Sequence, residues 1–436
     1  MKQVCKYLLL FGITNVSLVL LLILTAQIPR SSIESNSQKS ATYLDEKEAL
    51  FHTVVEGQKL TTIDNYADTI LLNIVYSLDV QHPLESVLLA SYYKEEWQNA
   101  NEAYRAAVTK HKPPNQPYTR YWHGQIIFLR PLLLFLDIRG IRWINAVVMT
   151  ALLSWLGVLL IKKQQKLLLG AFIIGFISVG GVMVPWCLEY ISTFILMLGV
   201  SIAALFMEDR GDEKLLPLFF TAGMLTSFFD FLTTETITLT MPLVMVLCIR
   251  QRKGVLKDFK SGFSLSIKAG ALWAGAYALM WLSKWSISTL VLKTNIFKEA
   301  LEQAQVRAVG DVASSLADQW IGAVFRNIAL LVPFNFGKTY GEVILLILGA
   351  AFAMFCLLFL YKKKQQETWF LYLMMLIGLV PYIRYSVLSN HSYLHYFFTY
   401  RAQIVTVTVL LYAVLSSLDQ KLLQKDFKKI KSCIKK

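Results

Sequence analysis

The chain has 436 residues, 55% of them hydrophobic and 17% charged, with a mean hydropathy of +0.49. Soluble domains carry roughly a quarter charged residues, so composition argues against a soluble enzyme, and a disordered chain could not keep so much apolar surface in water. The balance of 43 Lys and Arg against 29 Asp and Glu gives +14, and where those charges sit decides between nucleic acid and membrane as partner.

Apolar runs of spanning length fall at roughly 7–28, 141–161, 167–185, 188–206, 215–232, 235–250, 263–283, 341–361, 369–387 and 396–417. They predict an all-α, polytopic integral membrane protein with about ten transmembrane helices, a single membrane domain over 1–436. The first run is longer than the roughly 7–15 residues of a signal-peptide core. It ends in Leu24-Thr25-Ala26-Gln27, a poor cleavage site, and so reads as an uncleaved anchor.

Short connections between alternate spans are basic: Lys162, Lys163 and Lys166; Arg250, Arg252, Lys253, Lys257 and Lys260; Lys362, Lys363 and Lys364. The tail over 419–436 adds Lys421, Lys425, Lys428, Lys429, Lys431, Lys435 and Lys436. With ten spans these share a face with Lys2 and Lys6, which the positive-inside rule makes the cytoplasm of a multi-pass cell-membrane protein with both termini inside. A basic tail beside a span reads as a topology and anionic-lipid signal, so no nucleic-acid partner is expected. Five scattered cysteines (Cys5, Cys187, Cys248, Cys356 and Cys433) suggest no disulfide framework.

Two extracytoplasmic segments are long, 29–140 and 284–340. Both show amphipathic helix patterns, at Leu71 to Tyr76, Tyr92 to Ala107 and Phe297 to Leu316. Gln125 to Ile138 is apolar but too short to span, so it predicts an interfacial helix. Nucleotide loops, GxSxG and HExxH motifs are absent from the sequence.

The polar residues that are expensive to place gather at the outer face. Asp64 and Asp68, four apart, share a face if helical. Beside Leu71 and Leu72, two adjacent carboxylates suit a general base of raised pKa, with a helix N-cap as the structural reading. Arg120, His123 and Arg130 fall within about 80° on a helical wheel in an aromatic setting. They fit either a lipid phosphate or a snorkelling anchor. Arg384, His391, His395 and Arg401, with Asn390 and Tyr400, read as an anion site, and His391 with His395 as half of a metal site without a third ligand. Glu189 and Asp230 are expected to pair with one of these arginines. A carboxylate base beside a cationic pocket at the lipid boundary matches displacement of a lipid-linked phosphate by an activated hydroxyl.

The phrases Asp64-Asn65-Tyr66-Ala67-Asp68, Tyr118-Thr119-Arg120-Tyr121-Trp122-His123-Gly124, Phe229-Asp230-Phe231-Leu232-Thr233 and Asn390-His391-Ser392-Tyr393-Leu394-His395, with Thr399-Tyr400-Arg401, sit on a distinctive layout. An anchor, a long acidic outer loop and a multi-span body resemble the GT-C superfamily of polyprenyl-phosphate-sugar glycosyltransferases, and within it the bacterial GT-C-like membrane proteins of Gram-positive organisms. The resemblance implies transfer of a sugar from undecaprenyl phosphate to a cell-envelope glycan or other acceptor. Asp64 or Asp68 would be the base, and Arg120, His123, Arg130, Arg384, His391, His395 and Arg401 would bind the donor phosphate. A flippase and a cytoplasmic-face donor synthase would be partners. A strict Asp-x-Asp is missing, which leaves dependence on Mg or Mn open. The rival readings are a transporter or flippase for a lipid-linked sugar or anionic solute, and a non-catalytic envelope assembly protein.

Overall fold

The computed structural model describes residues 2–56, 61–310, 315–331, 339–361 and 367–419, with Leu422 and Lys425. Lys362, Lys363, Lys364, Cys433 and the tail lysines other than Lys425 lie outside the described residues. The protein is 77% helical, and the sheet among the described residues is a single antiparallel pair.

In chain order, α1 (Lys2–Ala26) is followed by α2 (Arg30–Asp45), the strands β1 (Phe51–Thr53) and β2 (Thr62–Asp64), and α3 (Asn65–Ser77). The short helices α4 (Pro83–Leu89), α5 (Ala100–Thr109) and α6 (Ile126–Leu132) complete the first long connection. The body then runs through α7 (Ile138–Lys162), α8 (Lys166–Ser178), a 3-10 turn at Gly181–Trp186, α9 (Leu188–Met207), α10 (Asp212–Phe229), α11 (Ile237–Arg252) and α12 (Phe259–Leu292). Two further helices, α13 (Ile296–Ala308) and α14 (Leu316–Ala329), precede α15 (Tyr340–Tyr361) and α16 (Thr368–Gly378). The chain closes with α17 (Val380–Val387), α18 (Ser389–Leu394), α19 (Tyr396–Thr399), a 3-10 turn at Tyr400–Gln403 and α20 (Ile404–Ser417).

Seven helical stretches among the described residues are long and apolar enough to cross a membrane: α1, α7, α9, α12, α15, α16 with α17, and α19 with α20. Helix α15 shows why a bilayer is needed, because Leu345, Leu348, Phe352, Phe355 and Phe359 are all exposed. The other three predicted spans are the shorter helices α8, α10 and α11, of 13, 18 and 16 residues. At a rise of about 1.5 Å per residue, α8 reaches only about 20 Å. It stops before Gly180, whose left-handed φ of 64° turns the chain into the 3-10 segment containing Pro185. Helix α11 is buried all round from Met241 to Arg250, so neighbouring helices rather than lipid surround it. Helix α12 continues past the expected boundary at 283 and ends at Leu292, where Lys293 adopts a φ of 54°.

Two large apolar cores result among the described residues. One joins α7 to α11 with α16 and α20, around Leu156, Phe172, Phe194, Met241 and Val405. The other seats the first long connection on the body, through Leu22, Ile33, Leu72, Tyr76, Trp122 and Met280. Most of the expected amphipathic segments form: α3, α5 with its Asn99–Glu102 capping box, the short α6, and α13. Residues 92–99 are not helical.

Candidate active site

Asp64 closes β2 and caps α3. Its Oδ1 accepts from the backbone N–H groups of Tyr66 (3.0 Å) and Ala67 (3.3 Å), and its Oδ2 accepts from the Tyr190 hydroxyl at 3.3 Å. The residue is 4% exposed. Burial pushes its carboxyl up to about 7; the capping N–H groups pull against that, and the Asp68 charge adds to it. The carboxylate therefore titrates in the range that general-base catalysis uses.

Asp68 has a different task. It is fully buried, and its Oδ2 accepts from Arg142 Nη2 at 2.8 Å. Its Oδ1 accepts from the N–H of Leu188 at 2.7 Å, which caps the N-terminus of α9. The two aspartates do not share a helical face, because Asp64 precedes the helix. Arg142, which also donates to Asn65, escaped the sequence reading because it lies inside a predicted span.

The helical wheel for Arg120, His123 and Arg130 fails for a similar reason: residues 118–124 form a loop, and His123 sits at φ 53°. The loop is pinned from both sides. Trp122 Nε1 donates to the Met280 carbonyl, Gly124 N to Phe228, and the Gln125 side chain to Phe229. At Gly124 a Cβ would lie 2.6 Å from the Phe228 carbonyl oxygen, so no other residue fits. Arg120 turns to Glu299 on α13, at 2.9 Å. Arg130 is fully buried and donates to the carbonyls of Ile28, Val75 and Leu78, closing the ends of α1 and α3. Neither arginine lines the cavities described below, which corrects their assignment to a donor phosphate.

Arg384 is committed too. It donates to Glu235 (2.8 Å), the Leu232 carbonyl (2.6 Å) and Ser392 Oγ (2.8 Å). Asp230, expected to pair with an arginine, instead accepts from Thr193 Oγ1 at 2.6 Å and from the N–H and hydroxyl of Thr233. The arginine's partner is Glu235, five residues on. Glu189 has no salt bridge among the described residues, and its buried Oε2 has no hydrogen-bond partner.

What converges is a pair of cavities with Asp64 in the wall of each. The larger, about 450 Å³, is lined by Asp64, Glu189, His123, His391, His395 and Arg307, with Tyr66, Tyr118 and Tyr121 and an apolar remainder including Phe231 and Phe398. The smaller, about 190 Å³, is lined by Asp64, Tyr190, Tyr400 and Arg401 with Leu330, Tyr396 and Phe397. Arg401 lies over the rings of Tyr190 (4.4 Å) and Tyr400 (4.9 Å) and donates to the Phe397 carbonyl, while its buried Nε has no partner among the described residues. The site thus draws on β2, α9, α13, α18 and the chain after α19.

The imidazoles are not cations. Burial, followed by nearby Lys284, pushes His123 down to about 3. His395 is held at about 4 by burial and by Arg307, and His391 is driven well down by burial and Arg384. The rings of His391 and His395 lie 4.6 Å apart. This corrects the view of the histidines as phosphate-binding charges: at neutral pH they offer neutral hydrogen-bonding nitrogens. The cationic role in the larger cavity belongs to Arg307, at the end of an amphipathic helix far from any motif. Among the described residues no group of three His, Cys, Asp or Glu side chains is placed to hold a metal ion. No protein-family model, curated protein or solved structure matches the chain.

Proposed function

We propose that the protein is an integral membrane glycosyltransferase of GT-C type, crossing the cell membrane ten times with both termini in the cytoplasm. It would transfer a sugar from undecaprenyl phosphate to a cell-envelope glycan at the outer face. The observation that supports this reading is the position of Asp64: a buried carboxylate of near-neutral pKa between a small aromatic cavity carrying Arg401 and a larger polar cavity carrying Arg307. In the reaction, the acceptor hydroxyl gives its proton to Asp64. Its oxygen bonds to the anomeric carbon, and the bond from that carbon to the phosphate oxygen breaks with its electron pair leaving on the phosphate. Arg401 meets the charge that develops there. One displacement inverts the anomeric centre. A cytoplasmic-face synthase and a flippase would supply the donor.

The test is transfer by the purified chain in nanodiscs, with radiolabelled undecaprenyl-phosphate hexose and a crude wall fraction. Label in the wall fraction, with released lipid phosphate, is the expected result. Movement of intact donor across vesicles without transfer would replace this reading with the transporter.

A further inference from the structure

Three buried side-chain atoms in one region have no hydrogen-bond partner among the described residues: Glu189 Oε2, His123 Nε2 and His391 Nδ1. All three side chains line the larger cavity, and they come from α9, the 118–124 loop and α18. Each buried polar atom of this kind costs free energy unless something bonds to it. The loop geometry decides the chemistry at His123. Its Nδ1 lies 3.0 Å from the Tyr121 carbonyl, which only accepts, so Nδ1 carries the proton and Nε2 presents a lone pair. Glu189 offers a second acceptor, and His391, as a neutral ring, offers one donor and one acceptor. Tyr118 and Tyr121 stand edge-on to the His123 ring, with centroids at 4.9 and 6.1 Å, and add aromatic wall.

Acceptors at His123, Glu189 and His391 on an aromatic wall suit hydroxyl groups, which donate and accept, and Arg307 in the same wall adds donors for their oxygens. We infer that the larger cavity binds an uncharged saccharide, with His123, His391 and Glu189 as the residues that read its hydroxyls. This rests on the glycosyltransferase reading for the lipid donor and adds which cavity holds the sugar.

Direct binding to the full chain in nanodiscs tests it, using C55 polyprenyl phosphate with a neutral hexose and the same lipid phosphate without sugar. His123→Asn keeps a donor to the Tyr121 carbonyl and deletes the Nε2 acceptor; His391→Gln deletes the Nδ1 position. Wild type is expected to prefer the sugar-bearing lipid at least tenfold. Each variant is expected to cut that preference about fivefold, the worth of one neutral hydrogen bond, with affinity for the bare lipid phosphate unchanged. A wild-type lipid bearing a deoxyhexose should lose a similar factor, with no variant needed. Binding of neither lipid would overturn the glycosyltransferase reading and this inference together. Equal affinity for the two lipids, a preference that survives both substitutions, or an equal loss of both lipids would overturn the saccharide site alone.

Discussion

Helix α9 carries a glutamate at each end, and the two are treated oppositely. Glu208, at the C-terminal end, is 2% exposed, and its Oε1 takes Lys163 at 3.0 Å as well as Lys253. Arg250 donates to the Glu208 carbonyl at 2.8 Å and pairs with Asp212 at 2.6 Å, so the ends of α7, α9, α10 and α11 are tied together. About 30 Å away along the helix, Glu189 makes no ion pair among the described residues, and Asp64 beside it is held by N–H groups and a tyrosine hydroxyl. At one end charges satisfy each other and hold helices together. At the other, Asp64 and the Oε2 of Glu189 are buried without ion pairs among the described residues, beside the paired Asp68 and Arg142, an arrangement that leaves the two unpaired carboxyls to act on a ligand.

The contrast can be broken most severely at Asp68 and Arg142, the pair that underlies the Asp64 end, with side chains 0% and 4% exposed. Arg142→Met strands a buried carboxylate and should cost about 3–5 kcal/mol, read as a large fall in Tm in detergent and loss of transfer. A small shift would mean that this pair does not set the site.

A pH series sharpens the comparison next. Since Asp64 must be ionised to take a proton and titrates at about 7, kcat/KM should rise about tenfold per pH unit below 7 and level off above it. Stability carries the opposite sign. A carboxyl raised when folded favours the folded state below its unfolded pKa of about 4 and loses that contribution as pH climbs through 7. Asp64→Asn, which keeps an N-cap side chain, should therefore exceed wild type in Tm at pH 8, with the gap closing toward pH 4.

Glu208→Gln should matter less. Lys163 and Lys253 are 24% and 47% exposed and can turn to water, so a loss of about 1 kcal/mol is expected, with transfer per folded molecule unchanged. Smallest is Arg120→Gln. The Arg120–Glu299 pair is partly exposed, at 20% and 40%, and its loss should cost under about 1 kcal/mol. A severe transfer defect in that variant would return Arg120 to the site.

Hydropathy made the helical membrane class legible, because spanning length is a local property of the chain. The seven stretches among the described residues that are long and apolar enough to cross a membrane do not include the expected spans at α8, α10 and α11, helices of 13, 18 and 16 residues. Asp64, His391, His395 and Arg401 could be picked out because ionisable groups near span ends are costly, and the fold brings them to two adjoining cavities. The partners of the remaining arginines were hidden by distance along the chain: Arg384 meets Glu235 149 residues away, and Arg130 reaches back 102 residues to Ile28. A helical wheel also presumes a helix, and the loop carrying His123 is none. Arg307 had no local signal, since an arginine in the last turn of an amphipathic helix is ordinary.

The most direct measurement compares Asp64→Asn with wild type in transfer from undecaprenyl-phosphate hexose, with Tm and donor binding recorded on the same samples. The account expects transfer to fall by about 10²–10⁴ while the variant stays folded and still binds donor. Transfer at the wild-type rate would show that another group takes the proton and would contradict the role assigned to Asp64.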